Sequence, residues 1–250
     1  MSDYNPNIVR NVTPAGVADM SVDVGLRSFM LGVYNKLALG LVLSAGLAFL
    51  TSSYKPVTDL LYHVQAGRVS MTGLGMLIQF SPLIILLGAM FGMRNPSARS
   101  SGILYWTIVS LIGASSGVWL LLYTGSSVAL TFLITATAFG SLSLVGYTTK
   151  KDLTGFGSFL IMGLWGLIAA SLVRFFWNPP GFSFVFSAIG VLIFAGLTAY
   201  DTQRLKMTYY ALGGNEAAKG VATNFGALTL YLDFINLFQF LLMMFGGRRN

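Results

Sequence analysis

Cysteine is absent from the 250 residues, which excludes disulfides, iron–sulfur clusters and thiol catalysis. Histidine occurs once, at His63, so a multi-histidine metal site is excluded as well. Charge is scarce: Asp, Glu, Lys and Arg make up 9% of the chain, whereas soluble domains carry about 25%. Acids are the scarcer sign, eight against fifteen Lys and Arg. The net charge of +7 does not point to nucleic acid. The basic residues are scattered over short loops, without the basic stripe or interleaved aromatic platform that nucleic acid requires.

Apolar residues dominate instead. They form 55% of the chain, and the mean hydropathy is +0.73. That combination reads as a polytopic membrane protein. Seven apolar segments are long enough to cross a bilayer, which takes about 20 residues each. They run approximately Phe29–Thr51, Met71–Met93, Gly102–Tyr123, Val128–Tyr147, Phe156–Trp177, Phe182–Gln203 and Val221–Phe245. The expected fold is an all-α seven-transmembrane bundle over residues 29–250, with no internal repeat and no room for a separate soluble domain. Residues 1–28 are polar, contain Pro6 and Pro14, and lack the apolar core of a cleavable signal peptide. They read as a disordered cytoplasmic tail.

Orientation follows from the basic residues of the loops. With the N-terminus inside, Arg10, Arg27, Arg94, Arg99, Lys150, Lys151, Arg204, Lys206 and Lys219 lie in the cytoplasm. Only Lys55, Arg68, Arg248 and Arg249 lie outside. Lys36 and Arg174 are expected near helix ends, where they can snorkel. The prediction is N-terminus in, C-terminus out.

Gly88 and Gly92 form one small-xxx-small pair, and Gly113 and Gly117 another. Both predict close helix packing. The second pair also reads G-x-S-x-G around Ser115, but a serine nucleophile needs a general base beside it. His63 falls in an amphipathic piece between the first two runs, and nothing in the sequence sets Lys36 against Ser115. Packing is the better reading, and no enzyme activity is expected. Pro82 should kink the second helix.

Of the eight acids, only Asp201 and Asp233 are attached to membrane segments. A carboxylate at the centre of a membrane helix costs roughly 2.5–3.5 kcal/mol, so each requires a reason. Their midpoint is residue 217, and the breaker stretch Gly213 to Gly220 is centred near it. Two antiparallel helices joined there bring both aspartates to one depth, each about 12 residues or roughly 18 Å from the turn. This requires the sixth helix to continue to about Leu212.

On the seventh helix, Gly226, Thr229, Asp233, Asn236 and Phe240 fall within about 80° of one another at about 100° per residue. Such a small and polar stripe belongs inside a bundle or along a water path. It is either a pore face or a structural hydrogen-bond knot. Two carboxyls meeting there share a proton and titrate in two macroscopic steps. Doubly ionised, they become a candidate Ca²⁺ ligand, to which Thr229 and Asn236 can add oxygens. Arg94, and after it Arg204, are the candidate basic latches.

Three stretches, ALTLYLDFINLF (Ala227–Phe238), FAGLTAYDTQRLK (Phe194–Lys206) and GYTTKKDLTGFGSFL (Gly146–Leu160), together resemble the Bax-inhibitor family in its bacterial branch. The resemblance covers nearly the whole chain after the tail. It implies a seven-helix bundle with the last helix central and wrapped by the other six. It also implies a pH-sensitive Ca²⁺ leak gated by an aspartate pair, matched here by Asp201 and Asp233. In some members an arginine of the second helix latches onto that pair. This chain departs from the pattern, because no arginine lies within the second run and Arg94 stands at its end.

Eukaryotic relatives moderate cell death and endoplasmic-reticulum Ca²⁺, and some bacterial ones are described as modulators of a membrane-bound AAA protease. The expected function is therefore a Ca²⁺ leak channel in a bacterial inner membrane, with Ca²⁺ as permeant or transiently bound ion and no tightly bound cofactor. The alternative is a non-conducting regulator that acts in stress response by binding a membrane protease, with residues 1–23 as the discriminating segment.

Overall fold

The structure is a computed structural model and describes residues 23–65, 68–176 and 181–249. Most of the expected tail, residues 1–22, lies outside the described residues, as do the side chains of Arg68 and Arg174 and the loop 178–180. In chain order the elements are α1 (Val24–Ser53), α2 (Lys55–Leu61), strands β1 (Tyr62–Gln65) and β2 (Arg68–Met71), and α3 (Gly73–Gly92). They continue with α4 (Ala98–Ser115), α5 (Gly117–Leu122), α6 (Gly125–Thr148), α7 (Thr154–Phe176), α8 (Phe182–Ala211) and α9 (Glu216–Phe245). Seven stretches can span a membrane, with α4 and α5 together forming the third.

Short polar side chains set the helix starts by accepting from backbone N–H groups that have no partner inside the helix. Asp23 Oδ1 accepts from Leu26 N at 2.9 Å, Thr72 from Gly75 N at 3.0 Å, and Asn215 Oδ1 from Ala218 N at 3.1 Å. Ser97 and Ser100 form a reciprocal capping box. Asp23, Ser97 and Asn215 lie outside the apolar runs, so α1, α4 and α9 begin before the runs do. Helix α1 starts at Val24, inside the stretch expected to be disordered. Helix α8 continues past Gln203 to Ala211. At 30 residues, α8 and α9 are each about 45 Å long, the thickness of a bilayer with its headgroups.

Helix α9 is the most enclosed of the seven. It packs directly on α1, α4, α6 and α8. Helices α3 and α7 stand further out, α3 against α4 and α7 against α8, so the last helix is central but only four of the other six spans enclose it. Loops alternate between two faces. One face carries Arg94, Lys150, Lys151 and the α8–α9 turn. The other carries α2, the hairpin and the C-terminal residues, where Thr124 N donates to Gly247 O and Arg249 N to Leu122 O.

Several local expectations are corrected. The third apolar run is not one helix: it breaks at Ser116, where the Ser115 and Ser116 hydroxyls both turn back onto Ile112 O. Gly113 and Gly117 do pack closely, since a Cβ would fall 2.6 Å from Ser44 Cα at the first and 2.2 Å from Thr51 Oγ1 at the second. Gly88 and Gly92 meet nothing within 4 Å; α3 is peripheral and those positions face outward. Pro82 falls inside α3, where the sequence set it. Strands β1 and β2 pair antiparallel, Tyr62 with Met71 and Gln65 with Arg68. Tyr62 is buried against α5 and donates to Ser115 O at 2.9 Å, while His63 is exposed.

Candidate functional site

Helices α8 and α9 are the hairpin on which the aspartates sit. Their register can be read from close approaches on either side of the pair. Gly226 admits Leu205, whose Cδ2 would lie 2.5 Å from a Cβ there. Gly190 admits the ring of Phe240 at the same distance. Between these two contacts Asp201 and Asp233 face each other, close enough for the charge of one carboxyl to bear on the other.

Both are buried, 7% and 5% exposed, among apolar side chains. A carboxylate can only accept, so a bond between two carboxyls requires a proton on one of them. Asp233 Oδ2 is buried without a hydrogen-bond partner among the described residues. The cation whose charge bears on the pair is Arg204, three residues along α8 from Asp201 and exposed.

An aromatic layer closes the bundle toward the hairpin face. Phe240 stacks on Phe194 with centroids 5.8 Å apart and meets Phe186 edge-on at 5.6 Å. Phe234, adjacent to Asp233, is boxed by Phe132 and Phe139.

The other expected site residues are placed differently. Arg94 is exposed at the end of α3, and α3 shares no packed interface with α8 or α9. It is not brought to the pair. Asn236 Nδ2 bonds back to Leu232 O of its own helix at 2.8 Å. Thr229 is half-buried and makes no hydrogen bond to either aspartate. Gly226 is where Leu205 packs. Of the stripe on α9, Asp233 is the residue set against Asp201. No group of three or more acidic, His or Cys side chains that could hold a metal occurs among the described residues. The pair offers two carboxylates, short of the six to eight oxygens of a Ca²⁺ cage.

Three polar networks around the pair were not anticipated. Lys36 does not sit at a helix end. It lies twelve residues into α1, donates to Asn224 Oδ1 and stands over the Tyr105 ring. Asn224 Nδ2 in turn donates to Ala98 O and Ser101 Oγ. Tyr231 donates to Ser44 Oγ at 2.7 Å, which donates to Val109 O. Tyr34 donates to Ser143 Oγ, which donates to Thr202 Oγ1 at 2.9 Å, next to Asp201. A signal for the first was present: Asn224 is nine residues from Asp233, half a turn off at about 100° each. A central helix is polar on two opposite faces, and a search for one stripe finds one of them.

A bundle of seven spanning helices with two buried aspartates facing each other on its last hairpin defines a polytopic membrane protein. Residues 26–250 match the family described as "Inhibitor of apoptosis-promoting Bax1". The chain belongs to this Bax-inhibitor family. It is 63% identical over 251 residues to a Caulobacter vibrioides protein, covering the whole of both chains. It is 43% identical to protein RP147 of Rickettsia prowazekii over 91% of this chain and 93% of that one. It is 41% identical to the inner membrane protein YbhL of Escherichia coli over 90% of this chain and 94% of that protein.

Proposed function

We propose that this protein is a pH-sensitive Ca²⁺ leak channel of a bacterial inner membrane, with the basic loops cytoplasmic and the C-terminus outside. The observation that carries this reading is the contact between Asp201 and Asp233 in the apolar interior, with Asp233 Oδ2 left unpartnered. A shared proton holds the two carboxyls together and α8 against α9. Its loss leaves two like charges in a low-dielectric site, which repel unless a cation enters between them. Either response loosens the hairpin on which the aromatic layer is built. Arg204 moderates the charge on Asp201 from the cytoplasmic side.

The test is Ca²⁺ entry into dye-loaded proteoliposomes between about pH 5 and 8, for the native chain, Asp201→Asn and Asp233→Asn. A sigmoidal pH profile in the native chain, flattened by either substitution, is the expected result. Full pH response in both variants sinks the gating mechanism. No flux at any pH from folded, inserted protein removes the channel reading and leaves the non-conducting regulator, whose binding to a membrane-bound protease is then measured with and without residues 1–23.

A further inference from the structure

Helices α1 and α6 both pack on the α8–α9 hairpin, but they have no packed interface with each other. Between them is a lateral cleft of about 730 Å³, within the ~300–1,000 Å³ range of small-molecule sites. Leu31 and Leu41 of α1 form one wall, Phe139 and Leu144 of α6 the other, and Phe234 of α9 the floor. The Tyr34–Ser143 hydrogen bond joins the walls at one level. A helix about 10 Å across cannot enter there, whereas a single hydrocarbon chain can.

The mouth of the cleft has a different chemistry. Arg27 and Tyr147 line it at the face of the basic loops. Arg27 is exposed and makes no ion pair among the described residues. The Tyr147 hydroxyl has no hydrogen bond there either. Lys150 and Lys151 follow α6 directly and are exposed and unpaired. Among the described residues the acids of this face are engaged elsewhere: Asp23 caps α1, Asp152 accepts from Thr154, and Glu216 pairs with Lys219. An apolar recess at membrane depth whose mouth carries positive charge without an ion pair among the described residues matches one ligand chemistry.

We propose that the α1–α6 cleft is a binding site for one anionic phospholipid, its headgroup on Arg27 and Tyr147 and an acyl chain lying over Phe234. The site does not depend on ion conduction. Occupancy covers the side of the hairpin that carries Thr202 and Phe234, the neighbours of the two aspartates.

Native mass spectrometry of the full chain in detergent tests this, with dioleoyl phosphatidylglycerol or dioleoyl phosphatidylcholine added. The native chain should retain one phosphatidylglycerol in preference to phosphatidylcholine. Arg27→Gln should reduce that preference about fivefold. Nothing lies within 4 Å of a Cβ at Gly140, which lines the cleft, so Gly140→Phe directs a ring into it and should lose the tightly held lipid whatever its headgroup. If that variant does not fold, Ala136→Phe on the same wall serves. Equal retention of both lipids by the native chain overturns the proposal. So does undiminished retention by the filled variant, or a dimer mass that Gly140→Phe abolishes, which would make the occupant a second copy.

Discussion

Lys36 and Asn224 meet across the α1–α9 interface, the ammonium donating to the side-chain amide oxygen. Asn224 spends both its donors on α4, at Ala98 O and Ser101 Oγ, so one side chain ties three helices. Asn224→Leu breaks all three bonds and strands the ammonium beside apolar residues. It should destabilise the protein by about 2–3 kcal/mol. Lys36→Met should cost less, because the lysine is half-exposed. The double variant should lose less than the sum, since each single change already removes the shared bond. Unfolding in mixed micelles measures this; strict additivity contradicts the coupling.

Glycines separate by what faces them. A Cβ at Gly146 would fall 2.1 Å from Ala199 O and 2.8 Å from its carbonyl carbon. Backbone cannot move aside as a flexible side-chain tip does, so Gly146→Ala must push α6 off α8. A loss of about 1–3 kcal/mol is expected. Gly88 meets nothing, and Gly88→Ala should stabilise α3 by roughly 0.5–1 kcal/mol through helix propensity alone. Thermal unfolding of the two variants side by side decides it. Equal effects would mean that α6–α8 contact is not the constraint.

That contrast also marks what the sequence makes legible. Apolar runs report the hydrocarbon layer, so the seven spans were readable within several residues. They do not report the helical turns beyond it, which is why Val24 and Ala211 lie outside the runs. The Asp201–Asp233 match was readable because antiparallel helices joined by a short turn preserve depth. The residues around the pair were not. Which helix faces Arg94, Gly88 or Asn236 depends on the order of helices around α9, and hydropathy carries no such information. The hairpin at residues 62–71 went unread because two four-residue strands around Ala66 and Gly67 have no alternation long enough to distinguish them from an amphipathic piece.

Asp152 offers a pH dependence outside the membrane. Its carboxylate accepts from Thr154 Oγ1 at 2.6 Å and Thr154 N at 2.9 Å. These bonds hold its pKa below the ordinary aspartate value, the hydroxyl contributing most. A carboxyl with a depressed folded-state value contributes order above its unfolded value and loses it as pH falls through the folded one. The Thr154 amide resonance in micelles should therefore shift only as the pH drops below the ordinary range near about 3.9. Asp152→Asn keeps an acceptor oxygen and should show no such shift. A shift near neutral pH, or the same shift in the variant, rules out this carboxylate as its source.

The aspartate pair itself can be tested for stability apart from flux. If it is a structural knot, apolar replacement of both residues removes a stabilising hydrogen bond and weakens the hairpin. If it is a switch held in the interior at a cost, the same replacement relieves that cost. The unpartnered Asp233 Oδ2 favours the second outcome, because a buried polar oxygen without a donor is destabilising. Asp201→Leu with Asp233→Leu should then raise stability by about 1–4 kcal/mol, while either single change, leaving one carboxyl without its partner, should lower it. The double variant should also carry no pH-dependent Ca²⁺ flux. Unfolding midpoints at neutral pH for the three variants are the measurement, and a double variant less stable than both singles would make the pair structural.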